Sequence, residues 1–208
     1  MTLKTRQNLL LAILIIFYTV GIIGLHTNLR GTFLTLIPFN LLLSFGCLYL
    51  SFKNFSLKKH LDIFLIAGCG YLIEWIGIHT SWLFGNYVYG SVLGFKLDGV
   101  PLIIGLNWVL LTFGAAAIVH KWTIPLLLKA LVSGVLMTAL DWLMEPVAVR
   151  SGFWSWQNGP VPLYNYACWM IFSTLFSYWI LERKTVETNK VSVGLFGIIV
   201  LFFAILNR

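Results

Sequence analysis

Charge is scarce in this 208-residue chain: Asp, Glu, Lys and Arg together make up 10% of it, with seven acids against fourteen bases. With 59% hydrophobic residues and a mean hydropathy of +0.89, that scarcity excludes an ordinary soluble domain. The net charge of +7 comes from lysines and arginines set singly or in short clusters between apolar runs. Such placement is typical of membrane-surface anchors, so no nucleic-acid partner is expected. Cysteine is sparse too. Cys47, Cys69 and Cys168 each lie inside an apolar run without C-x-x-C spacing, which excludes a disulfide framework and a thiolate metal site. The four histidines, His26, His60, His79 and His120, fall at separate helix ends, which argues against a histidine-rich di-iron oxygenase. P-loop, dinucleotide-binding and nucleophile-elbow motifs are lacking. Nothing in the chain demands a metal or a cofactor.

What is abundant is apolar sequence in span-length pieces. A helix crosses about 30 Å of hydrocarbon with roughly 20 apolar residues, and seven segments qualify: Leu9 to Leu25, Phe33 to Phe52, Leu61 to Ile78, Leu102 to Val119, Ile124 to Leu143, Tyr164 to Leu181 and Val191 to Leu206. No small-residue cleavage site follows Lys4 and Arg6, so the first reads as a retained span. The expected fold is therefore all-α: a single integral-membrane domain over residues 1–208, multi-pass, with about seven transmembrane helices, six if the short last segment does not cross. Lys4, Arg6, Lys53, Lys58, Lys59, Lys121, Arg183, Lys184 and Lys190 fall on one side, and Arg30, Lys96, Arg150 and Arg208 on the other. The positive-inside rule then makes the N-terminus cytoplasmic.

Two connectors, Thr80 to Pro101 and Met144 to Leu163, are rich in Gly, Trp and Tyr and are expected on the extracytoplasmic side, where functional content should concentrate. They resemble each other. Each follows an acidic helix end and leads through Val-Pro-Leu to a tryptophan seven residues past the proline: Val100-Pro101-Leu102 with Trp108, and Val161-Pro162-Leu163 with Trp169. This likeness fits a repeat of helical hairpins with a site at its interface, and equally a coincidence in a Trp-rich chain.

Ionisable groups inside a span cost roughly 2.5 to 3.5 kcal/mol at its centre, so each needs a reason. Glu74 lies near the end of the third segment. Asp141 and Glu145 lie four residues apart at the end of the fifth, on one face of a regular helix. Pro146 predicts a kink or stop between those two acids. The third and fifth segments both run outward, so the three acids meet at one leaflet, where Asn107 and Asn165 begin the inward-running fourth and sixth. Seven of the nine tryptophans lie at or near that side, more than a symmetric aromatic belt explains. A polar layer walled by aromatics suits an acid that protonates an alkene and π faces that hold the resulting cation. It suits a proton relay equally well. A retinal-type photoreceptor is disfavoured, because the last segment lacks an internal lysine and Lys129 sits where snorkelling explains it.

Two stretches carry a resemblance. The first is Glu74-Trp-Ile-Gly77-Ile-His-Thr80, Phe84-Gly-Asn-Tyr87-Val-Tyr89, Leu93-Gly94, Gly99-Val-Pro101 and Trp108. The second is Asp141-Trp-Leu-Met-Glu145-Pro146-Val-Ala148, Gly152, Trp154, Trp156, Pro162, Asn165 and Trp169. In this ordered combination the chain resembles the membrane-integral carotenoid biosynthesis proteins, the family of carotenoid 1,2-hydratases that includes the bisanhydrobacterioruberin hydratases. The resemblance implies an enzyme, a cofactor-independent hydro-lyase that adds water across the terminal C1=C2 double bond of an acyclic or monocyclic carotene. It also implies a lycopene-like polyene as substrate, the lipid bilayer as its setting, and a site toward the extracytoplasmic leaflet of the cell membrane. Glu74, Asp141 and Glu145 are the catalytic candidates as a group, with Glu74, the most deeply embedded, as the leading proton donor. Asn107 and Asn165 are candidates for positioning water, and Tyr87, Trp108, Trp154 and Trp169 for lining the cation site. A carotenoid cyclase begins with the same protonation, and a carotenoid-binding subunit or a proton-coupled transporter could use the same acids. Oligomeric state is not legible.

Overall fold

The computed structural model describes residues 2–157 and 159–208, and it is an all-α helical bundle with four very short strands. In chain order the elements are α1 (Leu3–Leu25), α2 (Arg30–Thr35), α3 (Ile37–Ser51), α4 (Leu57–Thr80), β1 (Tyr87–Tyr89), β2 (Lys96–Leu97), β3 (Val100–Pro101), α5 (Ile103–Val119), α6 (Leu126–Arg150), β4 (Trp154–Trp156), α7 (Leu163–Glu182) and α8 (Lys190–Leu206). Three helices, α1, α4 and α6, are long and apolar enough to cross a membrane, and α3, α5 and α8 are shorter apolar helices. The outward surface is itself apolar, with Phe64, Phe39, Ile16 and Leu201 among its exposed side chains. In water such a surface would drive aggregation, whereas in hydrocarbon it is at no disadvantage. The protein is membrane-integral.

α5 occupies the centre. It is apolar on every side, as a fully surrounded helix must be, and it packs against α3, α4, α6, α7 and α8. Its Gly114, Ala115, Ala116 and Ala117 are all buried and let neighbouring backbones approach closely. Polar ties staple both ends of the bundle. At one end, Arg6 donates to the Phe52 carbonyl (2.8 Å), Gln7 to the Ser51 carbonyl (2.9 Å) and Arg183 to Asp62 (2.6 Å), and buried Lys59 pairs with Glu187. At the other end, Arg30 donates to Ser151 (3.0 Å) and Asn207 to the Leu143 carbonyl (2.6 Å). The clustered basic residues of the sequence meet at the first end, and Arg30, Lys96 and Arg150 belong to the second, which also carries both aromatic connectors.

The helices depart from the sequence expectation in two places. The second apolar segment is broken at Leu36 into α2 and α3, because Pro38 in the first turn of α3 suits a helix start and not a helix interior. The expected stop between Asp141 and Glu145 is corrected: α6 runs on through Pro146 to Arg150, past both acids. The proline removes only the donor to the Trp142 carbonyl, one bond of the ladder, and Trp142 lies on the exposed surface.

The connectors join. β1 and β4 pair antiparallel, with Tyr87 opposite Trp156 and Tyr89 opposite Trp154. β2 and β3 form a second small ribbon that Trp75 and His79 of α4 hold through Asp98.

Candidate active site

Strand alternation aims the aromatic side chains of the connectors. In β1, Tyr87 and Tyr89 are buried and Val88 between them is exposed, as a period of two requires. In β4, Trp154 and Trp156 likewise share one face and Ser155 takes the other. The ribbon therefore presents two phenols and two indoles inward over the ends of α4 and α6.

Each pair meets a carboxyl group. Tyr87 and Tyr89 donate to Glu74 Oε2 at 2.5 and 2.8 Å, and Trp108 Nε1 donates to Oε1 at 3.1 Å. Trp154 and Trp156 both donate through Nε1 to Glu145 Oε2, each at 3.0 Å. Asn165 Nδ2 donates to Asp141 Oδ2 at 2.8 Å. Burial, with the Glu74 carboxyl alongside, pushes the Tyr87 and Tyr89 hydroxyls well above the ordinary phenol range, so both remain donors. Glu74, Asp141 and Glu145 are 5%, 1% and 4% exposed, and burial this complete makes satisfied lone pairs a requirement.

All three acids line one cavity of about 100 Å³, together with Tyr87, Asn107, Trp108, Trp154, Asn165 and Trp169. The candidate catalytic and substrate-lining residues of the sequence thus all reach the same space. Trp108 and Trp169, the tryptophans at matching places in the two similar connectors, stack with centroids 4.4 Å apart and planes 16° from parallel. Gly70 makes this possible, since a Cβ there would come within 2.7 Å of the Trp108 ring. α1, α3 and α8 supply the rest of the wall through Tyr18, Asn40, Ile199, Phe202 and Phe203.

Sequence reasoning gave no role to Tyr89 and Trp156, although Tyr-Val-Tyr and Trp-Ser-Trp spaced at two residues carry the signal of paired inward side chains. Asn165 is placed as the partner of Asp141, and Asn107 lines the cavity without a hydrogen bond to the described residues. Chemically, the space can hold a proton on a carboxyl group, and it can hold a cation between carboxylates and indole faces.

The carotenoid biosynthesis protein family matches residues 31–207, which covers most of the chain. Among curated relatives, the bisanhydrobacterioruberin hydratase of Haloarcula japonica is 33% identical over 115 residues, covering 49% of this chain and 37% of that protein. The chain thus matches well under half the length of that relative. No solved structure matches. The matched region contains all three acids, the aromatic ribbon and the stacked tryptophans, and the chain belongs to the carotenoid biosynthesis protein family.

Proposed function

We propose that the protein is a carotenoid hydratase, adding water across the terminal C1=C2 double bond of an acyclic or monocyclic carotene by acid catalysis and without a cofactor. One observation carries the reading: three buried carboxyl groups, Glu74, Asp141 and Glu145, share a cavity walled by indole and phenol rings. Hydration of an isopropylidene end group requires a proton at C2, a stabilised tertiary cation at C1, attack by water and removal of the surplus proton. Carboxyl groups and π faces supply these requirements.

The hydrogen bonds support a division of roles. A carboxyl that protonates an alkene must carry its proton on an oxygen left free for the substrate. Glu74 has donors on both oxygens and is thereby fixed as an acceptor, so it suits cation stabilisation and the return of the proton. Among the described residues Asp141 has a single donor, on Oδ2, and none on Oδ1, so Asp141 replaces Glu74 as the favoured proton donor. Glu145, aimed by two indoles through one oxygen, completes the set. The aromatic ribbon and the acids lie at the end of the bundle away from most of the basic residues. That placement supports a multi-pass protein whose site faces the extracytoplasmic leaflet.

The test is expression in cells that make lycopene, with the extracted pigments separated and weighed by mass spectrometry. The hydratase reading expects a gain of one water per reacted end. An isomer of unchanged mass would indicate cyclisation, and unaltered lycopene would refute hydration of this polyene.

A further inference from the structure

The cavity has a second, neutral pole. Its polar groups are mostly engaged: Glu74, Glu145 and Asp141 by the donors described, and the Tyr18 hydroxyl by Ser44 Oγ at 3.2 Å. Ser44 also donates to the Asn40 main-chain carbonyl at 2.7 Å, which fixes the first turn of α3. Besides the second oxygens of Asp141 and Glu145, three neutral groups lining the space make no hydrogen bond to the described residues: the Asn40 Oδ1, which is buried, the Asn107 carboxamide, and the Trp169 indole N–H. A buried carboxamide oxygen without a partner carries the full desolvation cost of its lone pairs, so its retention calls for a ligand.

The chemistry of the ligand follows from the groups. A water molecule that attacks a carbocation must keep a lone pair toward the carbon and donate its hydrogens elsewhere. Acceptors aim it, and an indole N–H cannot. Carboxamide oxygens are acceptors that stay neutral beside the acids. Asn40 also reaches the cavity from α3, which packs on α1, α5 and α8, whereas the acids come from α4 and α6. We propose that Asn40, with Asn107, binds the attacking water of the reaction. The inference rests on the hydratase reading and adds the nucleophile to it. In the step, the Asp141 proton and the alkene π pair form the C2–H bond and leave a cation at C1. The water oxygen forms the C1–O bond, and its surplus proton passes to a carboxylate. One water is consumed and no electron is transferred.

Without the held water the cation is still formed, and it decays by losing a proton to a carboxylate, which regenerates an alkene. The experiment is therefore run in D2O with purified protein and lycopene, comparing wild type with Asn40→Leu, Asn107→Leu and Asn40→Ser. It reads deuterium in unhydrated pigment against alcohol formed. For the leucine variants the ratio of exchange to hydration should rise by about tenfold, the factor carried by one lost hydrogen bond to water. Asn40→Ser, which restores a hydroxyl acceptor, should recover most of the hydration. An unchanged ratio in both leucine variants overturns the proposal. So does loss of exchange and hydration together in both, since protonation does not need this pole. A wild type that neither exchanges nor hydrates refutes the underlying reading, and the water site with it.

Discussion

Gly105→Ala places a single methyl group where α5 crosses α4, at a distance from the chemistry. A Cβ at Gly105 would lie 2.6 Å from the Ala67 carbonyl oxygen and 3.2 Å from its carbon, both main-chain atoms that cannot swing aside. A carbon–oxygen contact settles near about 3.3 Å, so the two helices must part by roughly 0.7 Å. Glu74 lies two turns beyond Ala67 on α4, and Trp108 one turn beyond Gly105 on α5. Their hydrogen bond, 3.1 Å long, would be stretched past the useful range. Overpacking costs about 1–3 kcal/mol, and a hydrogen bond to a charged group contributes about 1.5–3 kcal/mol. Helix propensity alone pulls the other way, favouring alanine by about 1 kcal/mol. The sign therefore discriminates. Thermal unfolding in detergent should show a lowered Tm, and carotene conversion should fall roughly ten- to a hundredfold, the range of the weakened bond to Glu74. A raised or equal Tm with full conversion would refute the account of how α4 and α5 aim the site.

Glu74→Gln, Asp141→Asn and Glu145→Gln should each cut product by about a hundredfold or more while leaving pigment binding in place, as judged by co-purified carotenoid; full activity in all three would remove the site assignment. The raised Tyr87 and Tyr89 hydroxyls predict alkaline sensitivity. A group with its folded pKa above the unfolded value stabilises fully below the unfolded pKa, so stability should hold up to about pH 10 and fall above it. Tyrosinate absorbance followed together with unfolding reads this directly, and a Tyr87→Phe/Tyr89→Phe variant should lose much of that slope. At the other end, Glu187→Gln removes the counter-charge of Lys59, which is 4% exposed and keeps only neutral acceptors such as the Asn54 carbonyl at 3.0 Å, and should cost about 3 kcal/mol as seen by denaturation; a change below about 1 kcal/mol would mean that the pair is solvated.

Much of this site was legible because the sequence concentrates its costly residues. A carboxyl group in an apolar run announces itself, and so do aromatic residues crowded into two connectors. Local signals failed where tertiary context decided the outcome. Pro146 reads as a break, yet α6 continues through it at the loss of one ladder bond, the one to the carbonyl of exposed Trp142. Tyr89 and Trp156 read as loop aromatics until β1 pairs with β4, a register set between strands far apart in the chain, Tyr87 opposite Trp156 and Tyr89 opposite Trp154, that no local pattern specifies. Asn40 was silent for another reason. One asparagine in an apolar run carries no charge penalty, and its meaning appears only when its carboxamide is found in the cavity beside groups whose bonds are already made.

The same geometry bears on the rival reading of a proton-coupled transporter. A relay needs titratable groups within hydrogen-bond reach from one end of the bundle to the other. Glu74 and Asp62 lie twelve residues apart on α4, roughly 18 Å along the helix, and share its inward face with Gly70 and Ile66. Ile66 is fully buried, and Gly70 is covered by the Trp108 ring. Asp62 is tied to Arg183 and Trp179, a fixed ion pair with no titratable neighbour on that face to pass a proton toward Glu74. Along α4 the acids near the aromatic ribbon are therefore separated from the basic end by apolar packing. An acid chamber set off in this way suits protonation of a bound alkene with recovery of a proton from the attacking water, a cycle with no net proton movement, better than it suits transport across the membrane.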